Sequence, residues 1–176
     1  MKQKKCKICG TKFTPKYSTV QMVCSTLCSY QYAKRQKDKE WKKRKKEKKK
    51  ELMTLQDHLK IAQVAFNAFI RARDKGKNCI SCGKPLGERY DAGHYYSAGG
   101  HWAVRFNEDN VHGQHSRPCN KDLHGDLINY RKGLVERIGE ERIKKLDAIS
   151  QDTANFTIEE VKEITKKYKK KINSIK

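Results

Sequence analysis

The sequence has little apolar material and no long hydrophobic run. Hydrophobic residues make up 36% and charged residues 35% of its 176 residues. No apolar stretch approaches the roughly 20 residues that a membrane-spanning helix requires. A chain of this length holds one ordinary domain or two very small ones, and small domains with little core usually need metals or disulfides to fold. The shortage of apolar residues argues against a membrane protein and against a protein with one large hydrophobic core.

An apolar leader segment is also lacking. The residues after Met1 are mostly lysine and lead directly to Cys6. We therefore expect the protein to stay in the reducing cytoplasm of the cell that makes it. Seven cysteines in a reducing compartment predict metal ligands rather than disulfides, and an odd number cannot be fully paired.

Acidic side chains are too few to balance the basic ones. Forty-one lysines and arginines stand against 20 aspartates and glutamates, which gives a formal net charge of +21. Such a charge attracts polyanions, and the usual polyanion inside a cell is nucleic acid. An acidic membrane surface is the alternative, but no helix pairs a basic face with a broad aromatic and leucine face. The expected partner is DNA, without membrane contact.

Residues 1–33 carry a four-cysteine pattern. Cys6 and Cys9 form a Cys-x2-Cys knuckle, and Cys24 and Cys28 follow with three residues between them. Four thiolates at these spacings predict a structural zinc site. Zinc would supply most of the stability of so short and polar a unit, whereas four free buried thiols are hard to reconcile with its polarity.

Residues 34–77 are predicted to form a basic helical arm. Between residues 34 and 51, twelve lysines and arginines stand against four acids, with Trp41 as the large apolar side chain. Good helix formers in this stretch predict a long solvated helix, and its charge predicts contact with DNA phosphates. A merely solvated linker is the alternative. The phosphate-contacting residues are expected to include Lys42, Lys43, Arg44, Lys45 and Lys46.

Residues 78–138 carry a second cysteine set. Cys79 and Cys82 form another Cys-x2-Cys knuckle, and Cys119 follows later. A second structural zinc ion is expected on these three thiolates and one imidazole. His115 is the expected fourth ligand, and His112 and His124 are the alternatives because both are near in sequence.

Between these cysteines lie residues suited to phosphodiester hydrolysis. His94 is predicted to be the general base, because imidazole has an unperturbed pKa near 6.5. Asp91 and Asn120 are predicted to hold a catalytic Mg²⁺ or Mn²⁺ ion, and Asn110 to orient the His94 ring. Turn or helix-cap roles are the alternatives for Asp91, Asn110 and Asn120.

The expected architecture is mostly α, with small zinc-stabilised β elements. An N-terminal zinc-binding unit and a long basic helix precede a ββα-metal core of the HNH or treble-clef type, and residues 139–176 form a helical C-terminal region. In the core, strands are expected at residues 92–96 and 103–106, followed by a helix that starts at Asn120. His94 would then face Asn120. Phosphate contact or salt bridges are predicted for Arg105, Arg117 and Arg131.

Several segments together resemble the phage recombination protein family NinG, also called Rap. They comprise residues 79–83 (CISCG), 91–95 (DAGHY), 105–112 (RFNEDNVH), 119–120 (CN) and 129–131 (NYR). The N-terminal cysteines and the tail are similar too, so the resemblance covers nearly the whole chain. One departure is at His115, where the family has the first cysteine of a Cys-x2-Cys pair, with one residue fewer before the second.

The resemblance implies an HNH-like, structure-specific endonuclease that acts in phage recombination in the bacterial host. Its substrates would be branched intermediates such as Holliday junctions and D-loops. A homodimer would suit symmetric junction cutting, and phage or host recombination proteins are further implied partners. The main alternative is a zinc-stabilised recombination or regulatory protein that binds DNA without catalysis. RNA binding is a third function, but the sequence has no aromatic-rich platform for single strands.

Overall fold

The chain divides into two compact units between Met53 and Thr54 in a computed structural model that describes residues 2–175. In the first unit, strand β1 (Lys4–Lys5) pairs antiparallel with β2 (Lys12–Phe13). Helix α1 (Thr26–Glu51) follows, and the Ser25 side chain caps it by accepting from the Cys28 backbone N–H. The predicted long basic helix is thus present, and Cys28 is its one buried residue.

The predicted arm at residues 34–77 does not form one segment. Its first part belongs to α1, whereas its second part is helix α2 (Leu55–Arg73) of the second unit. A capping box between Thr54 and Asp57 starts α2, which satisfies backbone N–H groups of the first turn. The break separates a helix that has no apolar face from one that has a broad apolar face.

Helix α2 packs against the last helix, α5 (Ile158–Asn173). Apolar residues recur at steps of three and four along both segments, a pattern that predicts amphipathic helices, and the apolar faces of α2 and α5 pack against each other. Phe66 lies at the centre, with the Tyr168 ring 4.8 Å away and the Phe106 ring 5.8 Å away. Another capping box, between Thr157 and Glu160, starts α5.

A two-stranded antiparallel sheet lies beside this helix pair. Strand β3 (Asp91–His94) pairs with β4 (Val111–Gln114), with Asp91 opposite Gln114 and His94 opposite Val111. One face, with Ala92 and Val111, packs on α2 and α5. Helices α3 (Leu127–Ile138) and α4 (Glu140–Ile149) complete the unit. Tyr130 of α3 is fully buried, and its hydroxyl donates to the Gly93 carbonyl and accepts from the His112 N–H.

Two of the predicted element positions are wrong. Residues 103–106 do not form a strand, because Trp102–Val104 make a 3₁₀ turn and the partner of β3 is β4. All four residues of β4 are buried, so its sequence lacks the polar–apolar alternation of a half-exposed strand.

The helix predicted to start at Asn120 starts at Leu127. Asn120 instead ends an irregular turn, Ser116–Asn120. His124, Gly125 and Asp126 then have φ values of 48°, 92° and 46°, a left-handed backbone that interrupts any helix. Within the described residues, no helix is long and apolar enough to cross a membrane.

Candidate functional site

The first unit brings four thiols together. Cys6, Cys9, Cys24 and Cys28 place their sulfur atoms within 4.8 Å of one another. The Cys9–Cys24 and Cys24–Cys28 sulfur distances are 3.5 and 3.7 Å. A tetrahedral ion with Zn–S bonds of about 2.3 Å requires sulfurs about 3.8 Å apart. The predicted ligand set is therefore assembled and fits a metal ion of this size.

The backbone of this knuckle favours a thiolate at Cys6. Burial raises the pKa of the Cys6 thiol, but N–H groups of Cys9, Ile8 and Cys24 point at the sulfur and together lower that pKa to about 6. Gly10 has a φ of 77°, a conformation that glycine adopts without strain. The turn thus presents a charged sulfur, the form that binds a metal.

The second unit assembles a three-thiol, one-imidazole group. Cys79, Cys82, His115 and Cys119 also place their ligand atoms within 4.8 Å of one another. The Nδ1 of His115 lies 3.2 Å from the Cys82 sulfur, and its Nε2 lies 3.2 Å from the Pro85 carbonyl oxygen. An Nε2–H that donates to this carbonyl leaves the Nδ1 lone pair for a metal, a common arrangement for histidine ligands.

Neither alternative histidine belongs to this group. His112 is buried, with Nδ1 3.1 Å from Arg73 and Nε2 3.1 Å from the Asp109 carbonyl. Burial and the nearby Arg73 charge lower the pKa of His112 to about 3. His124 is exposed in the left-handed turn. Of the three histidines, the structure brings His115 to the cysteines.

Asp91 and Asn120 lie next to this second metal-ligand group. The Asn120 Nδ2 donates to the Asp91 carboxylate at 2.9 Å, across 29 residues of sequence. Asn120 directly follows Cys119, so the turn that carries a metal ligand also carries this amide. Within residues 2–175, no lysine or arginine forms an ion pair with Asp91. The predicted carboxylate–carboxamide pair is therefore assembled, and no basic side chain of the described residues forms an ion pair with the carboxylate.

His94 lies on the other face of the sheet, so the prediction that it faces Asn120 is wrong. Side chains three residues apart on a strand point to opposite faces, and the contacts agree. The His94 Nε2 lies 3.4 Å from Gln63 Nε2 of α2, and its ring is 6.4 Å from the Phe66 ring. The residues expected to form one site thus flank the same strand from both sides.

The surroundings of His94 favour a neutral imidazole. Burial lowers the pKa of His94 below its ordinary value, and the carbonyls of Ala92 and Arg105 oppose that shift only in part. The positive charge of Arg105 lowers the pKa further. An uncharged ring at neutral pH is the form that can accept a proton.

Asn110 does not contact the His94 ring, contrary to its predicted orienting role. Its side chain is fully buried and donates to the carbonyls of Tyr96 and Val104 at 2.9 and 3.1 Å. It also accepts from the Tyr96 N–H at 2.7 Å. Asn110 thus fixes the two ends of the connection between β3 and the 3₁₀ turn.

The predicted DNA-contact residues differ in their surroundings. Arg131 forms an ion pair with Asp147, and exposed Arg117 lies 3.6 Å from Asp122. Arg105 instead donates from Nε to the Gln63 side chain at 3.0 Å. The basic run on α1 is exposed at each of its members, which are Lys42, Lys43, Arg44, Lys45 and Lys46.

Gln63 is a site residue that sequence reasoning missed. It lies on α2, outside the motif segments, and contacts both Arg105 and His94. The available signal was a polar residue one turn after Leu59, next to the buried stripe of an amphipathic helix. A polar side chain at such a position needs a hydrogen-bonding partner.

Comparison with known proteins places the chain in a family. The family model described as Bacteriophage Lambda NinG protein matches residues 1–176. The chain is 32% identical over 191 residues to Protein ninG of Escherichia phage 933W, which covers 99% of this chain and 94% of that protein. Identity is 40% over 118 residues to Protein ninG of Escherichia phage lambda and 41% over 120 residues to that of Salmonella phage P22.

The phage lambda and P22 matches each cover 67% of this chain and 57% of the relative. No solved structure matches the chain. Because the family model spans the whole chain, the protein belongs to the NinG family of bacteriophage proteins.

Proposed function

We propose that this protein is a metal-dependent endonuclease that cleaves branched DNA intermediates of phage recombination, such as Holliday junctions and D-loops. The observation that carries the proposal is the contact between Asp91 and Asn120, 2.9 Å long. Asp91 has no basic partner within residues 2–175. In a chain of net charge +21, such a carboxylate is a natural place for a divalent cation. Carboxylate and carboxamide oxygens are ligands that Mg²⁺ and Mn²⁺ accept.

The two faces of β3 supply complementary groups. Asp91 and Asn120 would hold the Mg²⁺ or Mn²⁺ ion, which when bound neutralises charge on the scissile phosphate. On the other face, His94 would take a proton from water. Strand β3 has no strand partner on its outer edge within residues 2–175, so a DNA backbone along that edge would meet both faces.

Both cysteine groups would hold zinc in a structural role. Thiolate and imidazole ligands select soft or borderline ions, and four protein ligands leave no open position for substrate. The second zinc would fix the turn that carries Asn120. The structural zinc and the catalytic ion would thus both be bound by the turn Ser116–Asn120, but through different residues, Cys119 and Asn120.

The exposed basic run of α1 would bind DNA phosphates without reading sequence. Phosphate contacts position a protein on DNA rather than specify its target. In this arrangement, α1 supplies affinity and the second unit supplies the chemistry. A homodimer would place two such sites on a symmetric four-way junction.

The test is cleavage of a four-way junction, a D-loop and a linear duplex of matched sequence. Zinc-loaded protein is incubated with Mg²⁺, with Mn²⁺ or with Ca²⁺ alone, because a strong chelator would also strip the cysteine sites. We expect cleavage of the branched substrates with Mg²⁺ or Mn²⁺, and its loss in Asp91→Asn. No cleavage of any substrate with either ion would contradict the proposal, as would full activity of Asp91→Asn.

A non-catalytic DNA-binding role is the second candidate. The observation that favours it is the separation of His94 from Asp91 and Asn120 by the thickness of the sheet. This candidate predicts tight junction binding and no strand cleavage under any of the metal conditions above.

A further inference from the structure

Arg105 differs from the other half-buried arginines of the second unit. Arg73 and Arg137 both contact the buried carboxylate of Asp74, and Arg131 contacts Asp147. Within residues 2–175, no carboxylate oxygen lies within 4.0 Å of an Arg105 nitrogen. A partly desolvated charge without a counter-charge is costly, so the position points to an anion from outside the chain.

The Arg105 side chain is nevertheless held in place. Its Nε donates to Gln63 Oε1 at 3.0 Å, and its guanidinium carbon lies 5.8 and 5.5 Å from the Trp102 and Phe106 ring centres. Its two Nη groups make no hydrogen bond to the described residues and are not among the buried unpaired atoms. The outer edge of the guanidinium is therefore open, and that edge matches a pair of phosphate oxygens.

One amide connects this arginine to His94. Gln63 accepts from Arg105 through Oε1, while its Nε2 donates to Asn67 at 2.8 Å and lies 3.4 Å from His94 Nε2. The Arg105 contact fixes which way the Gln63 amide faces, because an arginine Nε can only donate. Gln63 thus sets the positions of a cation and an imidazole that come from different segments.

We infer that Arg105 binds a phosphodiester group of the DNA backbone beside His94, and that Gln63 positions both side chains. A singly charged phosphodiester offers two oxygens to the open guanidinium edge, and no carboxylate of the described residues pairs with that guanidinium. The inference rests on the proposed function in taking DNA as the substrate. It adds the phosphate contact and a positioning residue from α2.

The test compares three variants that each lower the net charge by one. Arg105→Gln removes the cation, whereas Gln63→Glu places a carboxylate where it captures Arg105. Gln56→Glu is the matched control, because Gln56 lies on the same helix but is exposed. Junction affinity is measured by fluorescence anisotropy in Ca²⁺, where the DNA stays intact, from about 50 to 200 mM salt.

Arg105→Gln and Gln63→Glu are each expected to reduce the log–log salt slope by about 0.9 and to weaken binding about tenfold near 0.1 M salt. Gln56→Glu should retain the wild-type slope. The double variant Arg105→Gln/Gln63→Glu should lose no more of the salt slope than either single variant, because both changes remove the same phosphate contact. Arg105→Lys should keep the slope yet bind more weakly, since lysine retains the charge without the planar fork.

Thermal melts establish that each variant is folded. If Arg105→Gln does not fold, the salt slope of Gln63→Glu and the weaker binding of Arg105→Lys decide the question. Wild-type slopes in folded Arg105→Gln and Gln63→Glu would overturn the inference, as would an equal loss in Gln56→Glu. These binding results hold whether or not the wild-type protein cleaves DNA, so they are separate from a failure of the proposed nuclease activity.

Discussion

The two units bury very different material. In residues 2–53, the buried side chains are Pro15 and two members of the four-thiol group, Cys6 and Cys28. In residues 54–175, several clusters of aliphatic and aromatic side chains surround the sheet and the helices, including Phe66, Leu134 and Tyr130. The same kind of metal-ligand group therefore contributes differently to the stability of the two units. It replaces a core in the first unit and adds to an existing core in the second.

Removing one metal ligand from each unit tests this contrast and should give the largest effect. We expect the wild-type protein to bind two zinc ions and Cys28→Ser and Cys119→Ser to bind one each. In Cys28→Ser the first unit should unfold around its knuckle, because zinc supplies on the order of 10 kcal/mol in such segments. In Cys119→Ser, α2 and α5 should stay protected.

Elemental analysis and amide hydrogen exchange together measure both outcomes. Loss of amide protection in α2 and α5 of Cys119→Ser would contradict the contrast, because the clusters around Phe66 would then depend on the metal. A wild-type zinc content of zero would contradict the metal assignment for both cysteine groups.

The second contrast concerns chemistry. His94→Ala should reduce cleavage by about 10²- to 10⁴-fold, the usual cost of losing a general base. Junction binding should change little, and a thermal melt establishes that the variant is folded. Single-turnover cleavage and anisotropy measure the two quantities, with His58→Ala on α2 as the control. Wild-type cleavage by His94→Ala would remove His94 from the chemistry.

The third contrast concerns DNA binding, which the proposed function assigns to α1 of the first unit. Replacing Lys42, Lys43, Arg44, Lys45 and Lys46 with Gln should weaken binding to every DNA shape while leaving single-turnover chemistry at saturating protein intact. Helical spacing puts about two or three of the five residues on one duplex at once, so the salt slope should fall by about 2. An unchanged slope would show that the run is a solvated helix. Lost junction preference with retained duplex affinity would show that α1 itself recognises the branch.

The elements that could be predicted from the sequence are those with local signals. The cysteine spacings and the apolar stripes of α2 and α5 correspond to ligand groups and packed helices in the structure. Strand β4 was missed because Val111, His112, Gly113 and Gln114 are all buried, which leaves no alternation to detect. Three of these four residues are polar or glycine, and their burial depends on partners that are distant in sequence, such as Asp74 and Tyr130.

The arrangement of the site depends on the same distant partners. Asp91, His94 and Asn120 were found by residue type, but the face of the sheet that each occupies follows from the register of β3 with β4. Gln63 could not be linked to His94 before α2 was placed on the sheet. Spacing along the chain thus predicts ligand groups better than it predicts which side chains meet across a strand.

The last contrast is pH dependence, with the smallest expected effect. All six histidines lie in the second unit, and His112 is 3% exposed there. Burial and the charge of Arg73 lower its pKa to about 3, although Asp74 opposes this shift. The unfolded chain has an ordinary histidine pKa near 6.5, so as the pH falls the unfolded state takes up the proton first.

Stability from neutral His112 is therefore complete above about pH 6.5 and is lost as the pH falls toward 3, by about 1.4 kcal/mol per pH unit. Arg73 and Arg137 face the ring, and Asp74 stays ionised through this window because Arg73 and the Gly113 N–H outweigh burial and hold its pKa well below the usual range. Urea unfolding of Trp41→Phe protein, followed by Trp102 fluorescence, reports on the second unit alone. His112→Gln should flatten the pH dependence relative to His124→Asn, whose asparagine tolerates the left-handed backbone. Both variants keep the cysteine ligands, so protonation of these ligands contributes equally to the pH dependence of their unfolding free energies. Identical pH dependences would therefore show that acid acts on this unit through its metal group and not through His112.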